Sequence, residues 1–133
     1  VTLRHPIRVR YAESDQMGVV HHSAYVIWLE EARTVLLEAL GLPYHELEAM
    51  GLFFPVVRLE LRYRRPMRYG EVAEIEVSLR AVNRRQVTFA YRVLRNGDEI
   101  AVGETVHVAQ GPSGKAMRMP ETVFETLQRA LAS

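Results

Sequence analysis

The chain has 133 residues, 48% of them hydrophobic and 25% charged, and its 17 Lys+Arg against 16 Asp+Glu leave a net charge of +1. These values exclude a disordered or collagen-like polymer and speak against a bulk electrostatic partner such as duplex nucleic acid. The length suits one domain over 1–133 with its own core, and the absence of cysteine removes disulfides, a thiol nucleophile and thiolate metal sites.

Leu3 to Tyr11 alternates as a half-buried strand does, with Ile7, Val9 and Tyr11 on one face and Arg8 and Arg10 on the other. Ala12 to His22 breaks the alternation, and Glu13-Ser14-Asp15 and Met17-Gly18 supply turn chemistry. Ser23 to Leu40 then predicts a long helix, apolar at Ala24, Ile27, Trp28, Val35, Leu36 and Ala39, capped by Ser23 and stopped by Gly41. Pro43 to Met50 reads as a short second helix ended by Gly51.

From there the period is two. Val57 to Tyr63, Glu71 to Val82, Val87 to Leu94 and Ile100 to Gln110 form a meander. Asn83-Arg84-Arg85 makes one tight connection and Asn96-Gly97 a hairpin turn. Pro120 opens a terminal helix carrying Val123, Phe124, Leu127 and Leu131. One strand, a long helix, a meander and a final helix predict an α+β domain and not a doubly wound sheet. No run approaches the roughly 18 apolar residues of a membrane span. Val1 to Tyr11 lacks a charged segment leading into an apolar one, so the expectation is a cytoplasmic protein with no membrane insertion.

Chemistry-bearing residues concentrate between Tyr11 and Tyr25. Asp15 lies in a loop between a strand end and a helix start, and Gly18 permits a left-handed or close backbone approach. The helix start supplies unpaired N–H groups and the positive end of a dipole. A carboxylate facing such amides is the minimal kit for attack on a carbonyl with its oxyanion held. The same residues also serve as an ordinary turn, in which Asp15 is a cap.

A metal on His21 and His22 with Asp15 or His5 is disfavoured, because adjacent residues entering a helix diverge by about 100°. No serine sits in a G-x-S-x-G elbow, and neither a P-loop nor a G-x-G-x-x-G fingerprint occurs. Lys115 is the single lysine, so the basic side is arginine. Arg58, Arg62 and Arg64 share a strand face with Glu60, the pattern of a solvated sheet face. Arg84 and Arg85, or Arg65 and Arg68, are the candidates for phosphate. Trp28, Met50, Phe53 and Phe54 suit a core, with an acyl tunnel as the alternative.

The stretch Val9-Arg-Tyr11-Ala-Glu-Ser-Asp15-Gln-Met-Gly18-Val-Val20-His-His22-Ser-Ala-Tyr25 resembles the signature of the 4-hydroxybenzoyl-CoA thioesterase family, in particular its acyl-CoA thioesterase branch associated with the Tol–Pal gene cluster. The resemblance continues through Leu29-Glu30-Glu-Ala32-Arg33-Thr34 and from Arg64-Arg65-Pro66 to Gly70-Glu71. It implies a hotdog fold, a long central helix wrapped by a five-stranded antiparallel sheet in the order 1-3-4-5-2. It further implies edge-to-edge homodimers that pair into homotetramers, with a site between subunits.

The implied activity is hydrolysis of an acyl-CoA thioester, with coenzyme A as part of the substrate and no separate cofactor or metal. Asp15 takes the place of the catalytic carboxylate, as nucleophile or as general base for water. The His22 N–H takes the place of the thioester carbonyl donor. Gly18 shapes the loop, Tyr11 and His22 take supporting roles, and Arg84 and Arg85 align with positions that contact the nucleotide phosphates. Glu13, Gln16 and His21 depart from the family pattern and are expected at the pocket mouth, where they bear on acyl specificity. The rival readings are a hotdog enoyl-CoA hydratase and a non-catalytic module binding acyl-CoA or an acyl carrier protein.

Overall fold

A computed structural model describes residues 1–133. Five strands, β1 (Thr2–Arg8), β2 (Val56–Tyr63), β3 (Val72–Val82), β4 (Gln86–Arg95) and β5 (Asp98–Val108), pair antiparallel throughout in the order β1-β3-β4-β5-β2. Three helices accompany them: α1 (His22–Ala39), α2 (Tyr44–Ala49) and α3 (Glu121–Ala132). Element order, class and strand order are those the resemblance implied.

The alternation in β3 and β4 selects the buried face. Ala73, Ile75, Val77 and Leu79 of β3 and Val87, Phe89, Tyr91 and Val93 of β4 are all buried. They meet α1 through Ala24, Tyr25, Trp28, Leu29, Ala32, Leu36 and Leu37, a broad apolar stripe on an 18-residue helix. The predicted stripe is therefore rotated. Ile27 is 57% exposed, Val35 is half-buried and Ala39 is exposed, whereas Leu29, Ala32 and Leu37 carry the contact. Asn96 (φ 51°) and Gly97 (φ 84°) form the two-residue turn joining β4 to β5, the left-handed pair that such a hairpin requires.

Three local expectations are corrected. β1 stops at Arg8, because the Glu13 carboxylate accepts from the Arg10 N–H at 2.9 Å and draws the chain into a single 3-10 turn over Tyr11–Glu13. Val9 stays buried while Tyr11 swings out to 76% exposure. Ser23 is not the cap of α1. His21 holds that position, kept extended (φ −64°, ψ 141°) by its N–H bond to the Glu13 carbonyl at 2.8 Å. Of the four large residues assigned to the core, Trp28 is buried, but Met50 and Phe53 are 49% and 37% exposed.

β2 differs from the other strands. It lies at the sheet edge with Val57, Leu59 and Tyr63 all exposed, although its alternation reads as half-buried. Its Arg58 and Arg62 join Glu60 in ion pairs on a solvated face, as the sequence pattern predicts. Gly103 of β5 opposes Leu61, and a Cβ there would stand 2.7 Å from the Leu61 side chain and 2.8 Å from the Glu60 carbonyl. The glycine lets β2 seat closely.

Candidate active site

The loop leading into α1 is closed on itself. Ser14 bridges Val20, Val19 bridges Arg68, and the Asp15 N–H donates to the Val19 carbonyl at 2.8 Å. Gly18 turns the tip with φ +77°. A Cβ there would meet nothing within 4 Å, so the glycine answers a backbone requirement and not a lack of room. Bonds from Val20 N–H to the Met67 carbonyl and from Tyr69 N–H to the Gly18 carbonyl, both at 2.9 Å, tie the loop to the turn before β3.

Asp15 sits exposed in this loop. Its Oδ1 accepts from the Met17 N–H at 2.8 Å and the Val19 N–H at 3.0 Å. These amides, Val19 first, hold its carboxyl below the usual aspartate range, with the charges of His21 and Arg68 assisting. The group is therefore an ionised, oriented carboxylate at neutral pH with Oδ2 uncommitted. The turn role and a chemical role coexist in one side chain.

The next segment supplies donors. Neither the His22 nor the Ser23 N–H has an acceptor within the chain, as helix geometry dictates for the first turn. The His22 ring stacks on Tyr63 at 3.9 Å, and the Tyr63 hydroxyl donates to the His22 carbonyl at 3.1 Å. Tyr25 meets the same Tyr63 ring edge-on at 5.0 Å. A cleft of about 260 Å³ opens here, walled by Val19, His22, Tyr25, Tyr63, Arg64 and Pro66 among others. Asp15 stands beside this cleft in sequence but does not line it.

The remaining candidates are scattered. Tyr11 packs edge-on against Tyr69 at 5.6 Å, outside the cleft. Arg84 pairs with Glu121 and lies 4.3 Å over the Phe124 ring, so α3 holds it. Arg85 and Arg118 border an open depression of about 580 Å³. That turn is at the far end of the 11-residue β3 from Gly70, about 30 Å away at strand rise, so one chain does not bring Arg84 and Arg85 to Asp15.

Glu13 requires a further correction. It is 7% exposed and lies under the loop, where its Oε2 accepts from the Trp28 indole N–H at 2.8 Å. Burial pushes its carboxyl up, but the Arg10 amide, the Trp28 indole and the Arg10 side chain outweigh that and hold it low. Glu13 is a strut between loop and helix, and the cleft it borders, with Pro6, Arg10 and Ile27, is separate from the one at His22. Tyr25 closes the stretch that the sequence singles out, whereas Tyr63 and Arg118 escape sequence reasoning because only pairing across the fold places them at these openings.

Comparison with known proteins now decides the family. Residues 9–127 match the model of the thioesterase-like superfamily. The chain belongs to the thioesterase-like superfamily. As in other hotdog members, its sheet wraps a long helix. The structure of the hypothetical protein TT1821 from Thermus thermophilus is 48% identical and superposes with a TM-score of 0.93 over 98% of both chains. DHNA-CoA thioesterase from Staphylococcus aureus is 26% identical, with a TM-score of 0.89 over 98% of this chain and 89% of that one. Acyl-CoA thioester hydrolase YbgC of Escherichia coli is 31% identical over 91 residues, 68% of each chain. Within this superfamily the loop and first helical turn that hold Asp15 and His22 are part of the matched region.

Proposed function

We propose that this protein hydrolyses acyl-CoA thioesters to coenzyme A and a carboxylic acid, in the manner of the 4-hydroxybenzoyl-CoA thioesterase family and its Tol–Pal-associated branch. The observation that carries the reading is the pairing of a low-pKa carboxylate at Asp15 with free N–H groups at His22 and Ser23 on either side of one short loop. Membership in a superfamily with relatives named as thioester hydrolases supports the same chemistry.

The His22 N–H polarises the thioester oxygen at the positive end of α1. As a general base, Asp15 removes a proton from water while the water oxygen bonds to the acyl carbon. Collapse then breaks the C–S bond, and the proton passes to the departing thiolate. As a nucleophile, Asp15 bonds to that carbon directly, the thiolate leaves, and water cleaves the resulting anhydride. Either route needs no metal and no redox cofactor, and coenzyme A enters as part of the substrate. Gly18 sets the loop, and Tyr11 supports it from outside.

One chain leaves the site open, and a second copy completes it in this proposal. β2 presents an unpaired edge with Val57 and Leu59 exposed, the surface that an antiparallel β2–β2 pairing would cover. Such a homodimer, and a tetramer built from it, also offers Arg84 and Arg85 of a neighbour to the nucleotide phosphates. Light scattering is expected to give a dimer mass or a multiple of it, and a fully active monomer would refute the assembly.

The deciding experiment measures thiol release from short, branched, long and aromatic acyl-CoAs with wild type and Asp15→Asn. Release by wild type and its loss in the variant support the proposal. Hydration of an enoyl thioester leaves the thiol bound, and tight binding without release across the panel would favour a non-catalytic module.

A further inference from the structure

Arg33 is the charged residue the thioesterase reading leaves unused. It lies on α1, eleven residues beyond His22 and about 16 Å along the helix axis. It is 7% exposed, its Nε is fully enclosed with no hydrogen-bond partner, and the hydroxyl that meets the guanidinium from within the chain is the neutral one of Tyr91. The nearest carboxylate, Glu30, stands 3.9 Å from Nη2 and is itself 68% exposed. A guanidinium this buried ordinarily has a paired anion, because its desolvation is otherwise uncompensated.

The side chain behind it cannot supply one. His107 sits within reach of the Arg33 charge, and burial first, with Arg33 assisting, pushes its pKa down to about 4. The neutral ring completes a relay in which Tyr91 O–H donates to Thr105, Thr105 donates to His107 Nε2 and His107 Nδ1–H donates to the Phe54 carbonyl, at 2.6, 2.8 and 3.0 Å. Only the Tyr91 oxygen, which donates and accepts nothing within the relay, is left to face Arg33, and it carries no charge.

In front of Arg33 lies the largest ligand-sized opening that contains a buried charge, a cavity of about 510 Å³ between α1, α2 and the segment entering β2. Tyr44, Phe53 and Phe54 give it an aromatic wall, and the exposure of Phe53 has no packing reason in the chain. Glu30 and Glu48 stand at its rim, where a dianion would meet two like charges.

We infer that this cavity binds an amphipathic monocarboxylate, its carboxylate on the Arg33 guanidinium and its apolar body against Phe53, Phe54 and Tyr44. The single charge satisfies Arg33 through the planar fork, and the rim acids select against phosphate. Two sources can present that group: a free carboxylic acid, or a carboxylate at the far end of an acyl group. A short acyl group held at the His22 amide of the same chain does not span the 11-residue separation.

The test titrates the full-length protein with octanoate, octanol and inorganic phosphate, following backbone amide shifts by NMR, with no thioester present. The expected result is octanoate binding at least about tenfold tighter than octanol, with shifts centred on Phe53, Phe54 and Gly111. In Arg33→Gln that preference is expected to fall below about twofold. Equal binding of octanoate and octanol, tighter binding of phosphate, or shifts centred elsewhere overturns the inference, as does a preference that survives Arg33→Gln.

Should Arg33→Gln fail to fold, Phe53→Ala at its exposed position keeps the question decidable. It is expected to weaken octanoate about fivefold with an unchanged melting temperature, and unchanged affinity overturns the inference. Thiol release from hexadecanedioyl-CoA, whose chain is long enough to span that separation, against palmitoyl-CoA separates the sources: a preference for the diacid lost in Arg33→Gln assigns the acyl group, and its absence assigns the free acid. Octanoate binding does not depend on catalysis, so it stands or falls apart from the proposed activity.

Discussion

The loop that carries Asp15 and the interior layer around His107 handle polar groups in opposite ways. In the loop, the carboxylate is exposed and is oriented by the main chain, through the Met17 and Val19 amides. In the layer, Tyr91, Thr105 and His107 are buried and are oriented by one another, ending on a single carbonyl. A group positioned by the backbone can change chemically without loosening the fold. A group positioned by a buried relay cannot, because each missing partner leaves another polar atom stranded.

The largest effect expected from that contrast is a loss of activity without a loss of stability. Asp15→Asn keeps an acceptor for both amides, so the melting temperature should stay within about 2 °C, while thiol release falls about 10²- to 10⁴-fold. Unfolding of this variant would erase the distinction between the two regions.

Acid should do the reverse. His107 has a folded pKa near 4 against an ordinary 6.5, so the unfolded state binds more protons between these values. Its contribution is fully present above about pH 6.5 and disappears as pH falls towards 4, a loss of up to about 3 kcal/mol. Chemical denaturation at pH 7, 5 and 4 measures it, and His107→Gln should flatten that part of the profile.

Glu13 joins the two regimes, a buried carboxylate serving an exposed loop. Glu13→Ala strips the Trp28 indole of its acceptor and should cost about 2 kcal/mol. The lost strut should also raise KM more than it lowers kcat, with Glu13→Gln restoring most of both. Trp28, the sole tryptophan and 1% exposed, reports the change through its fluorescence.

Smallest is Gly18→Ala. Its φ of +77° costs an L-residue about 1 kcal/mol, and no neighbour obstructs the new methyl. A shift in melting temperature of a few degrees would match, and a larger one would mean that the loop bears load from elsewhere.

Much of this was legible in advance, and the reasons differ by residue. The period-two runs of β3 and β4 specify their buried faces because pleating leaves only two. Asn96-Gly97 declared its turn because few residues accept positive φ. In the α1 stripe Ala24, Trp28 and Leu36 face the sheet as expected, but Leu29, Ala32 and Leu37 take the places expected of Ile27, Val35 and Ala39: Ile27 and Leu29 are equally apolar, and only the position of the sheet tells which one faces it. β2 alternates like β3 but is exposed, since its place at the edge follows from pairing and not from its own residues.

Amino-acid order alone determined the class of the domain, its element sequence, the loop chemistry of Asp15 and Gly18, and the free amides that any helix start must leave. These depend on neighbours a few residues apart. Only the tertiary structure decided that Glu13 is a buried strut, that Arg33 is enclosed with no anion nearer than the exposed Glu30 at 3.9 Å, and that Arg84 and Arg85 lie a strand's length from Asp15. Each of these turns on partners brought together from distant parts of the chain, and desolvation is a property of the assembled surroundings that no single residue carries.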